Sequence, residues 1–224
     1  MTSDNHNILY KTEAELPGKQ NNYETAYREA ADKLSQFDID GIAARSGTSM
    51  IVTGSSKALL LLFWGEQILV THPQISVSYN NKKDDVPMWA KILALHYLIR
   101  ATGTPARNEQ ITFKQLEGGL AYYPAFQRRS IIPLLDAYGT EPEKFMKAGL
   151  ASGGLRSPYG DYALAFQAFP RVEVAFVLWK GDNEFPPTGS VIFDSSISDY
   201  LSTEDVAVLC NMLAIKIVKA ARII

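Results

Sequence analysis

The clearest strand signals in the chain lie in Phe169-Pro-Arg-Val-Glu-Val-Ala-Phe-Val-Leu-Trp-Lys-Gly-Asp-Asn-Glu-Phe-Pro-Pro187 and, shortly after it, in Val191-Ile-Phe-Asp194. Runs of β-branched and aromatic residues bounded by Gly and Pro are typical of strands, so we predict two core strands here. The connection between them holds Asp182 and Glu184, and Asp194 stands at the far end of the second strand. The same stretch therefore predicts a sheet and concentrates carboxylates near strand ends.

Further short strands precede this region, and helices lie before, between and after them. Four apolar or alternating runs separated by turn residues predict an antiparallel meander: residues 49–53, 58–63, 67–71 and 75–79. Helical spacing predicts helices over residues 22–37, 87–102, 124–138 and 142–148, and a last helix capped by Ser202. The third of these should be kinked at Pro133. Phe113 to Leu116 is predicted as a short strand. Strands and helices do not alternate strictly. We therefore predict one α+β domain over residues 22–224, a mostly antiparallel sheet with packed helices, after a polar lead-in over residues 1–21.

Composition and charge exclude several classes of partner. The chain has 224 residues with 22 Lys plus Arg and 24 Asp plus Glu, a net charge of −2, which gives no general attraction to nucleic acid or to an anionic membrane. The longest apolar run, residues 58–64, is far below the roughly 20 residues that cross a bilayer. The polar N-terminal residues do not resemble a signal peptide. We expect a cytoplasmic protein with neither a nucleic-acid nor a membrane partner.

Metal-ligating residue types are sparse and scattered. Cys210 is the one cysteine, which is too few for a zinc ribbon or an iron–sulfur cluster, and the three histidines form no HExxH or HxxxH pattern. We therefore expect no metal site. Cys210 lies among apolar residues of the last helix, so it reads as a buried and inert thiol.

Two groups of residues are candidates for ligand binding. The first is Asp182, Glu184 and Asp194, which hairpin geometry can gather beside Arg171 and Trp179 into a polar cleft that holds a ligand; the alternative is ordinary turn and capping chemistry. The second is a loop in which Gly153 and Gly154 expose backbone N–H groups and Arg156 adds charge, an arrangement suited to an anion; the alternative is loop punctuation. No GxxxxGK[ST], GxGxxG or GxSxG motif accompanies either group.

The chain also resembles a known family. The likeness rests on Phe169-Pro-Arg-Val172, Leu178-Trp-Lys-Gly-Asp-Asn-Glu-Phe-Pro186, Ile192-Phe-Asp194 and Tyr200-Leu201, and it is similar to the domain of unknown function numbered 3786, found largely in anaerobic bacteria and archaea. It covers most of the chain and is strongest over residues 110–210. Some relatives look like fusions with a cysteine-rich iron–sulfur module. The resemblance implies that the shared domain binds a partner or a cofactor rather than carrying the cluster, and it suggests a link to anaerobic redox or corrinoid metabolism.

Three functions follow as hypotheses. The leading one is an accessory or ligand-binding domain for a small molecule or a protein partner, with a cleft near residues 182–194. The second is an enzyme that uses Asp182, Glu184 and Asp194, with or without a divalent metal. The third is a protein-interaction subunit that exposes the Phe185-Pro186-Pro187 region. The sequence identifies neither a reaction nor a cofactor.

Overall fold

The computed structural model describes residues 20–53 and 56–220. The predicted lead-in, residues 1–21, falls almost wholly outside these ranges. Within them, no helix is both long enough and apolar enough to pass through a bilayer. The chain divides into two compact units, the first comprising Met1–Leu62 with Glu66–Gly103 and the second comprising Phe63–Gly65 with Thr104–Ile224.

The first unit contains the predicted meander. Its elements are α1 (Gln20–Ser35), α2 (Ile39–Ser46), β1 (Ser49–Thr53), β2 (Ser56–Phe63), β3 (Glu66–His72), β4 (Val77–Tyr79) and α3 (Met88–Arg100). The strands form one sheet in the order β1-β2-β3-β4, with antiparallel pairs. The α3 helix is apolar on most sides and buries Leu93, Ala94 and Leu98.

The α2 helix has no counterpart in the sequence-based assignment, although its end signals are present. Asp38 caps its first turn, accepting hydrogen bonds from the N–H groups of Asp40 and Gly41. Gly47 ends the helix in the left-handed conformation with φ 70°. The helix is only 8 residues long, so its apolar periodicity is too short to stand out. Its last carbonyl, that of Ser46, accepts a hydrogen bond from the buried Tyr97 hydroxyl at 2.5 Å.

The second unit holds a sheet with helices on one face. Its elements are β5 (Gln110–Thr112), α4 (Gly119–Ser130), α5 (Ile132–Tyr138), α6 (Pro142–Ala151), β6 (Leu155–Arg156), β7 (Tyr162–Phe169), β8 (Val172–Trp179), β9 (Thr188–Asp194) and α7 (Thr203–Ala220). The five strands pair antiparallel in the order β5-β9-β8-β7-β6. The α+β class and the mostly antiparallel pairing predicted from the sequence are thus confirmed.

Three boundaries differ from the sequence prediction for local reasons. The segment read as a strand at Phe113 is a 3-10 turn, because the Gln115 side chain accepts a hydrogen bond from the Thr112 N–H at 2.8 Å and closes the turn. The strand lies just before it, as β5. The helix expected over residues 124–138 begins earlier, at Gly119, and divides at Ile131 into α4 and α5. Pro133 falls in the first turn of α5, where its missing N–H costs nothing.

The last helix forms as its sequence predicts. The Ser202 hydroxyl accepts a hydrogen bond from the Asp205 N–H at 3.1 Å, and the Asp205 carboxylate accepts one from the Ser202 N–H at 3.1 Å. This reciprocal pair caps the helix N-terminus. The buried face of α7 includes Val206, Leu209 and Leu213. Helices α4, α5 and α6 all contact α7, so one apolar layer forms between them.

The candidate site lies on the face of the second sheet opposite α6. Helix α6 contacts β7, where a Cβ added to Gly149 would lie only 2.1 Å from Leu164 Cδ1 and 3.6 Å from the Phe166 ring. Leu164 pairs with Phe176 across the β7–β8 ladder, so these side chains point toward the helices. Residues at the alternate positions, such as Glu173, point to the opposite face.

Candidate functional site

A cleft of about 450 Å³ lies in the second unit, on the sheet face away from α6. Three segments surround it: the stretch leading into β5, the β7–β8 hairpin end, and the end of β9. Its lining comprises Thr104, Ala106, Asn108, Gln110, Tyr159, Gln167, Pro170, Arg171, Glu173, Ala175, Ile192, Phe193, Asp194 and Ser196. The lining mixes hydrogen-bonding and charged side chains with small and aliphatic ones.

Cross-strand pairing builds the floor of the cleft. Gln167 of β7 stands opposite Glu173 of β8, and Gln110 of β5 stands opposite Asp194 of β9. Residues directly opposite each other in an antiparallel ladder have Cβ atoms about 5 Å apart and share a face. The two pairs therefore place four polar side chains on one side of the sheet.

One step further along the same face, the floor is apolar. Ala175 of β8 pairs with Ile192 of β9. Ala175 is buried, and Ile192 is half-buried and lines the cleft. A ligand here would contact hydrocarbon at one end and polar groups at the other, a combination common in small-molecule sites.

The Gln167 side chain is held in one orientation by the hairpin that carries it. Its Nε2 donates to the Phe169 carbonyl at 2.6 Å and is 3.4 Å from the Val172 carbonyl. These contacts occur where the β7–β8 register shifts between Gln167 and Phe169. Because both contacts use the NH₂ group, Oε1 is the remaining hydrogen-bonding atom of this amide, and it is an acceptor.

Asp194 binds the segment that forms one wall of the cleft. Its Oδ1 accepts hydrogen bonds from the Arg107 N–H at 3.0 Å and the Ser196 N–H at 2.9 Å. Burial alone would raise the pKa of Asp194. The hydrogen bonds from Ser196, Arg107 and Asn108 outweigh that effect and hold the pKa below its ordinary value. Asp194 also caps the 3-10 turn Ser195–Asp199, as the capping alternative predicts.

Arg107 strengthens the same wall. Its guanidinium donates to the Ser195 carbonyl at 2.9 Å and pairs with the Asp199 carboxylate at 2.6 Å. The Tyr200 hydroxyl donates to the Thr104 carbonyl. The chain entering β5 is therefore attached to the region after β9 at both of its ends, which gives the cleft a defined shape.

Of the predicted ligand-binding residues, the structure brings Arg171 and Asp194 into the cleft and leaves Asp182, Glu184 and Trp179 out of its lining. Asp182 and Glu184 lie between β8 and β9, whereas Asp194 is the last residue of β9, a strand of 7 residues. At about 3.3 Å per residue, the two ends of β9 are about 20 Å apart. The three carboxylates therefore do not converge.

Asp182 instead organises its own turn. Its Oδ1 accepts hydrogen bonds from the N–H groups of Glu184 and Phe185, both at 2.8 Å. The bonds from Phe185 and Glu184 lower the pKa of this exposed carboxyl below its ordinary value. Trp179 pairs with Thr188 at the same end of the sheet, away from the cleft. The geometry at Asp182 is that of a side chain closing a turn.

The predicted anion loop has its backbone donors already engaged. The Gly153 N–H donates to the Leu150 carbonyl at 3.1 Å, and the Gly154 N–H donates to the Gly149 carbonyl at 2.9 Å. Both bonds satisfy carbonyls at the C-terminus of α6, the negative end of the helix dipole. Arg156 is exposed on β6. Anion binding by this loop stays a prediction, and these two N–H groups do not support it.

Metal-ligating side chains do not gather in the described ranges. No group of three or more His, Cys, Asp or Glu residues there is arranged to hold an ion. Cys210 is fully buried in α7, and burial raises the pKa of its thiol well above the ordinary value. This confirms its prediction as a buried thiol.

The site residues predicted from the sequence do not include the Gln167–Glu173 pair, which lines the cleft. Glu173 reads in sequence as a surface position on an alternating strand, and Gln167 attracts no notice. The sequence does contain one signal for this pair. Outside the turn at Pro170-Arg171, Gln167 and Glu173 are the two polar residues in the otherwise apolar run from Ala163 to Leu178. The fact that they face each other emerges only from the strand register.

Fold and cleft together define an α+β protein with two antiparallel sheets, the second of which carries a small polar cleft on the face opposite α6. The chain belongs to the family of the domain of unknown function DUF3786, whose model matches residues 38–216. The match confirms the resemblance seen in the sequence. No curated protein and no solved structure matches the chain.

Proposed function

We propose that this protein is a binding domain for a small polar molecule, which it holds in the cleft over β7, β8 and β9. The supporting observation is the cleft itself, about 450 Å³ in volume, with polar side chains from four neighbouring strands beside an Ala175–Ile192 floor. Small-molecule sites occupy about 300–1,000 Å³ and combine an apolar wall with a few oriented polar groups.

A rigid scaffold supports this proposal. Gln167 is held by hairpin carbonyls, and Asp194 holds the wall through Arg107. Side chains positioned in this way need little further ordering when a ligand arrives, so less binding free energy is lost to conformational entropy. The site is thus better suited to specific recognition than an exposed loop would be.

The proposal narrows the metabolic link suggested by the family resemblance. A cleft of about 450 Å³ suits a ligand of drug-like size or less. A complete corrinoid is considerably larger, so we propose a small metabolite as the ligand. An accessory role in anaerobic redox metabolism stays compatible with such a ligand and is a separate prediction.

The enzyme hypothesis has less support than binding. It relied on Asp182, Glu184 and Asp194 acting together, yet a strand of 7 residues separates the first two from the third. Within the cleft, Asp194 is occupied by structural hydrogen bonds. Catalysis by a carboxylate pair would need Glu173 to work with a partner that is not already engaged in capping.

The interaction hypothesis is supported by Phe185, whose side chain is 67% exposed. The Asp182 hydrogen bonds give the turn a defined shape. A Cβ added to Gly139 would lie 2.7 Å from Pro187 Cγ, so the end of this loop packs against the C-terminus of α5. A single exposed phenylalanine is common on monomeric proteins. Protein interaction is therefore our second candidate.

A cleft-filling substitution tests the proposed function. A thermal-shift screen of polar metabolites of all charge classes should find at least one that raises the Tm of the wild-type protein. Gln110→Trp places a large side chain at an exposed position of the lining and should abolish that shift. Thr188→Trp is the matched control, because Thr188 is exposed on β9 but outside the lining.

The two variants separate binding in the cleft from binding elsewhere. The proposal holds if the Tm shift survives in Thr188→Trp and disappears in Gln110→Trp. It fails if no metabolite shifts the wild-type Tm, or if Gln110→Trp retains the full shift.

A further inference from the structure

We infer that the ligand of this cleft carries a protonated amine, bound between the Glu173 carboxylate and the Gln167 side-chain oxygen. This inference rests on the proposed function and adds the chemical class of the ligand. It starts from the cross-strand pair that joins these two residues on the cleft face of the sheet.

The cross-strand pair contributes hydrogen-bond acceptors to the lining. Gln167 Nε2 is directed to the Phe169 and Val172 carbonyls, which leaves Oε1 as the remaining hydrogen-bonding atom of the amide. A carboxylate such as Glu173 accepts hydrogen bonds and donates none when ionised. Two adjacent acceptors are best satisfied by a group with several N–H donors, and a primary ammonium has three of them.

The charge of the lining favours the same class. Its ionisable acidic and basic residues are one guanidinium, Arg171, against two carboxylates, Glu173 and Asp194. The pKa of Asp194 is held below its ordinary value, so that group stays ionised at neutral pH. The excess of negative charge attracts a cation and disfavours an anionic ligand.

The other walls fit an amine attached to a small carbon skeleton. Ala175 and Ile192 provide an apolar surface one step along the strands from Glu173 and Gln167. Tyr159 adds an aromatic side chain to the lining, and the face of an aromatic ring attracts cations. A metal ion is a poorer candidate, since the described residues include no group of three or more His, Cys, Asp or Glu placed to hold one.

Probes that share a carbon skeleton and differ in the head group test the inference. Ligand-observed NMR would compare isopentylamine, the alcohol isopentanol and the acid isocaproate, which share a branched carbon skeleton. Calcium chloride serves as a metal probe, and its binding is measured by the change in Tm. We expect isopentylamine to bind and isocaproate and calcium not to. The Gln110→Trp variant should abolish the isopentylamine signal, which assigns it to the cleft.

A charge-removing substitution identifies the residue responsible. Glu173→Gln keeps the size of the side chain and should weaken isopentylamine binding by at least about tenfold, since a charged hydrogen bond is lost. Glu117→Gln is the matched control, because Glu117 is exposed and lies outside the lining; it should bind isopentylamine as the wild-type protein does.

The outcomes distinguish this inference from the proposed function. If isocaproate, isopentanol or calcium binds as well as isopentylamine, or if Glu173→Gln binds isopentylamine unchanged, the inference is wrong. It is also wrong if isopentylamine does not bind while the metabolite screen yields a cleft ligand without an amine; the proposed function then stands. If neither the probes nor the metabolites bind in the cleft, both fail.

Discussion

Single residues whose surroundings alter their chemistry include Asp194 and Cys210. Asp194 is a capping carboxylate stabilised in its ionised form by N–H donors, and Cys210 is a thiol kept neutral by burial. One pKa is lowered and the other is raised, and the physical causes are hydrogen bonding in the first case and desolvation in the second. Each leads to a prediction that requires no ligand.

Removing the charge of Asp194 should destabilise the protein in a pH-dependent way. Asp194→Asn keeps a side-chain oxygen that caps the turn but removes the charge. It should lower the free energy of unfolding by about 1 kcal/mol near neutral pH, the difference between hydrogen bonds to a charged and to a neutral acceptor. Because the folded pKa is lowered, the wild-type carboxylate stabilises the fold above the unfolded pKa of about 4, and this contribution is lost as pH falls through the folded pKa.

Urea unfolding near neutral pH and at about pH 3 checks this linkage. The difference between wild type and Asp194→Asn should shrink at the lower pH. Glu117→Gln serves as the control, with little difference at either pH. A deficit of equal size at both pH values would show that the charge of Asp194 does not stabilise the fold.

The Cys210 thiol should be unreactive in the folded protein. It is fully buried in α7, and its pKa is raised well above the ordinary value, so the nucleophilic thiolate is scarce. Labelling with iodoacetamide, followed by mass spectrometry, should give no adduct under native conditions and a complete adduct in urea. Rapid native labelling would instead mean that α7 opens frequently.

At the scale of elements, close backbone approach determines where α4 begins. Gly119 is the first residue of α4, directly after Gly118, which has φ +68°. A Cβ at position 119 would lie 1.9 Å from the Phe113 carbonyl oxygen. Since that oxygen belongs to the backbone of the 3-10 turn, it cannot rotate away as a side chain would.

The two adjacent glycines therefore predict different costs for the same substitution. Gly118→Ala meets no atom within 4 Å and should cost about 1 kcal/mol, from its left-handed conformation alone. Gly119→Ala should cost more, about 1–3 kcal/mol or above, because backbone must move. Chemical denaturation of both variants measures the difference. If Gly118→Ala were the more destabilising, the packing of α4 on the turn would not be what requires Gly119.

Buried tyrosines satisfy helix C-termini in both units. In the first unit, the Tyr97 hydroxyl donates to the Ser46 carbonyl at 2.5 Å, at the end of α2. In the second unit, the Tyr138 hydroxyl donates to the Ile217 carbonyl at 2.6 Å, in the last turn of α7. These carbonyls lack a complete set of partners within their helices, so each hydroxyl satisfies a group that burial would otherwise leave unbonded.

For the molecule as a whole, substitutions at these two tyrosines can show whether the two compact units unfold together. We predict one cooperative transition, as expected for a single domain. Tyr97→Phe and Tyr138→Phe should each cost about 1 kcal/mol, the net worth of one hydrogen bond. If unfolding is cooperative, each substitution should lower the temperature of the same calorimetric transition, although the two sites belong to different units.

Independent units would behave differently in the same experiment. Two transitions, with Tyr97→Phe shifting one and Tyr138→Phe shifting the other, would contradict the prediction of a single cooperative domain. Limited proteolysis gives a second measurement. Two stable fragments separated near Gly103, the last residue of the first unit, would lead to the same conclusion.

Several features of the fold could be predicted from local sequence patterns. The meander of β1 to β4 follows from short apolar runs and turn residues, and the capped α7 follows from Ser202 and Asp205. Burial of Cys210 follows from its apolar helical neighbours. Family membership could also be read from the strand motifs around Phe169 and Asp194. Each of these depends on residues close together in the chain.

Which polar residues lie close together depends on strand pairing, which local patterns do not reveal. Asp182 and Asp194 are 12 positions apart, but the antiparallel strand β9 separates them by about 20 Å. Gln167 and Glu173 face each other because of a hairpin whose register shifts at Phe169. Register depends on how a turn closes and on which strand face is buried against helices, neither of which spacing along the chain reveals. The candidate site therefore emerged from strand pairing, whereas the fold class was already evident from local periodicity.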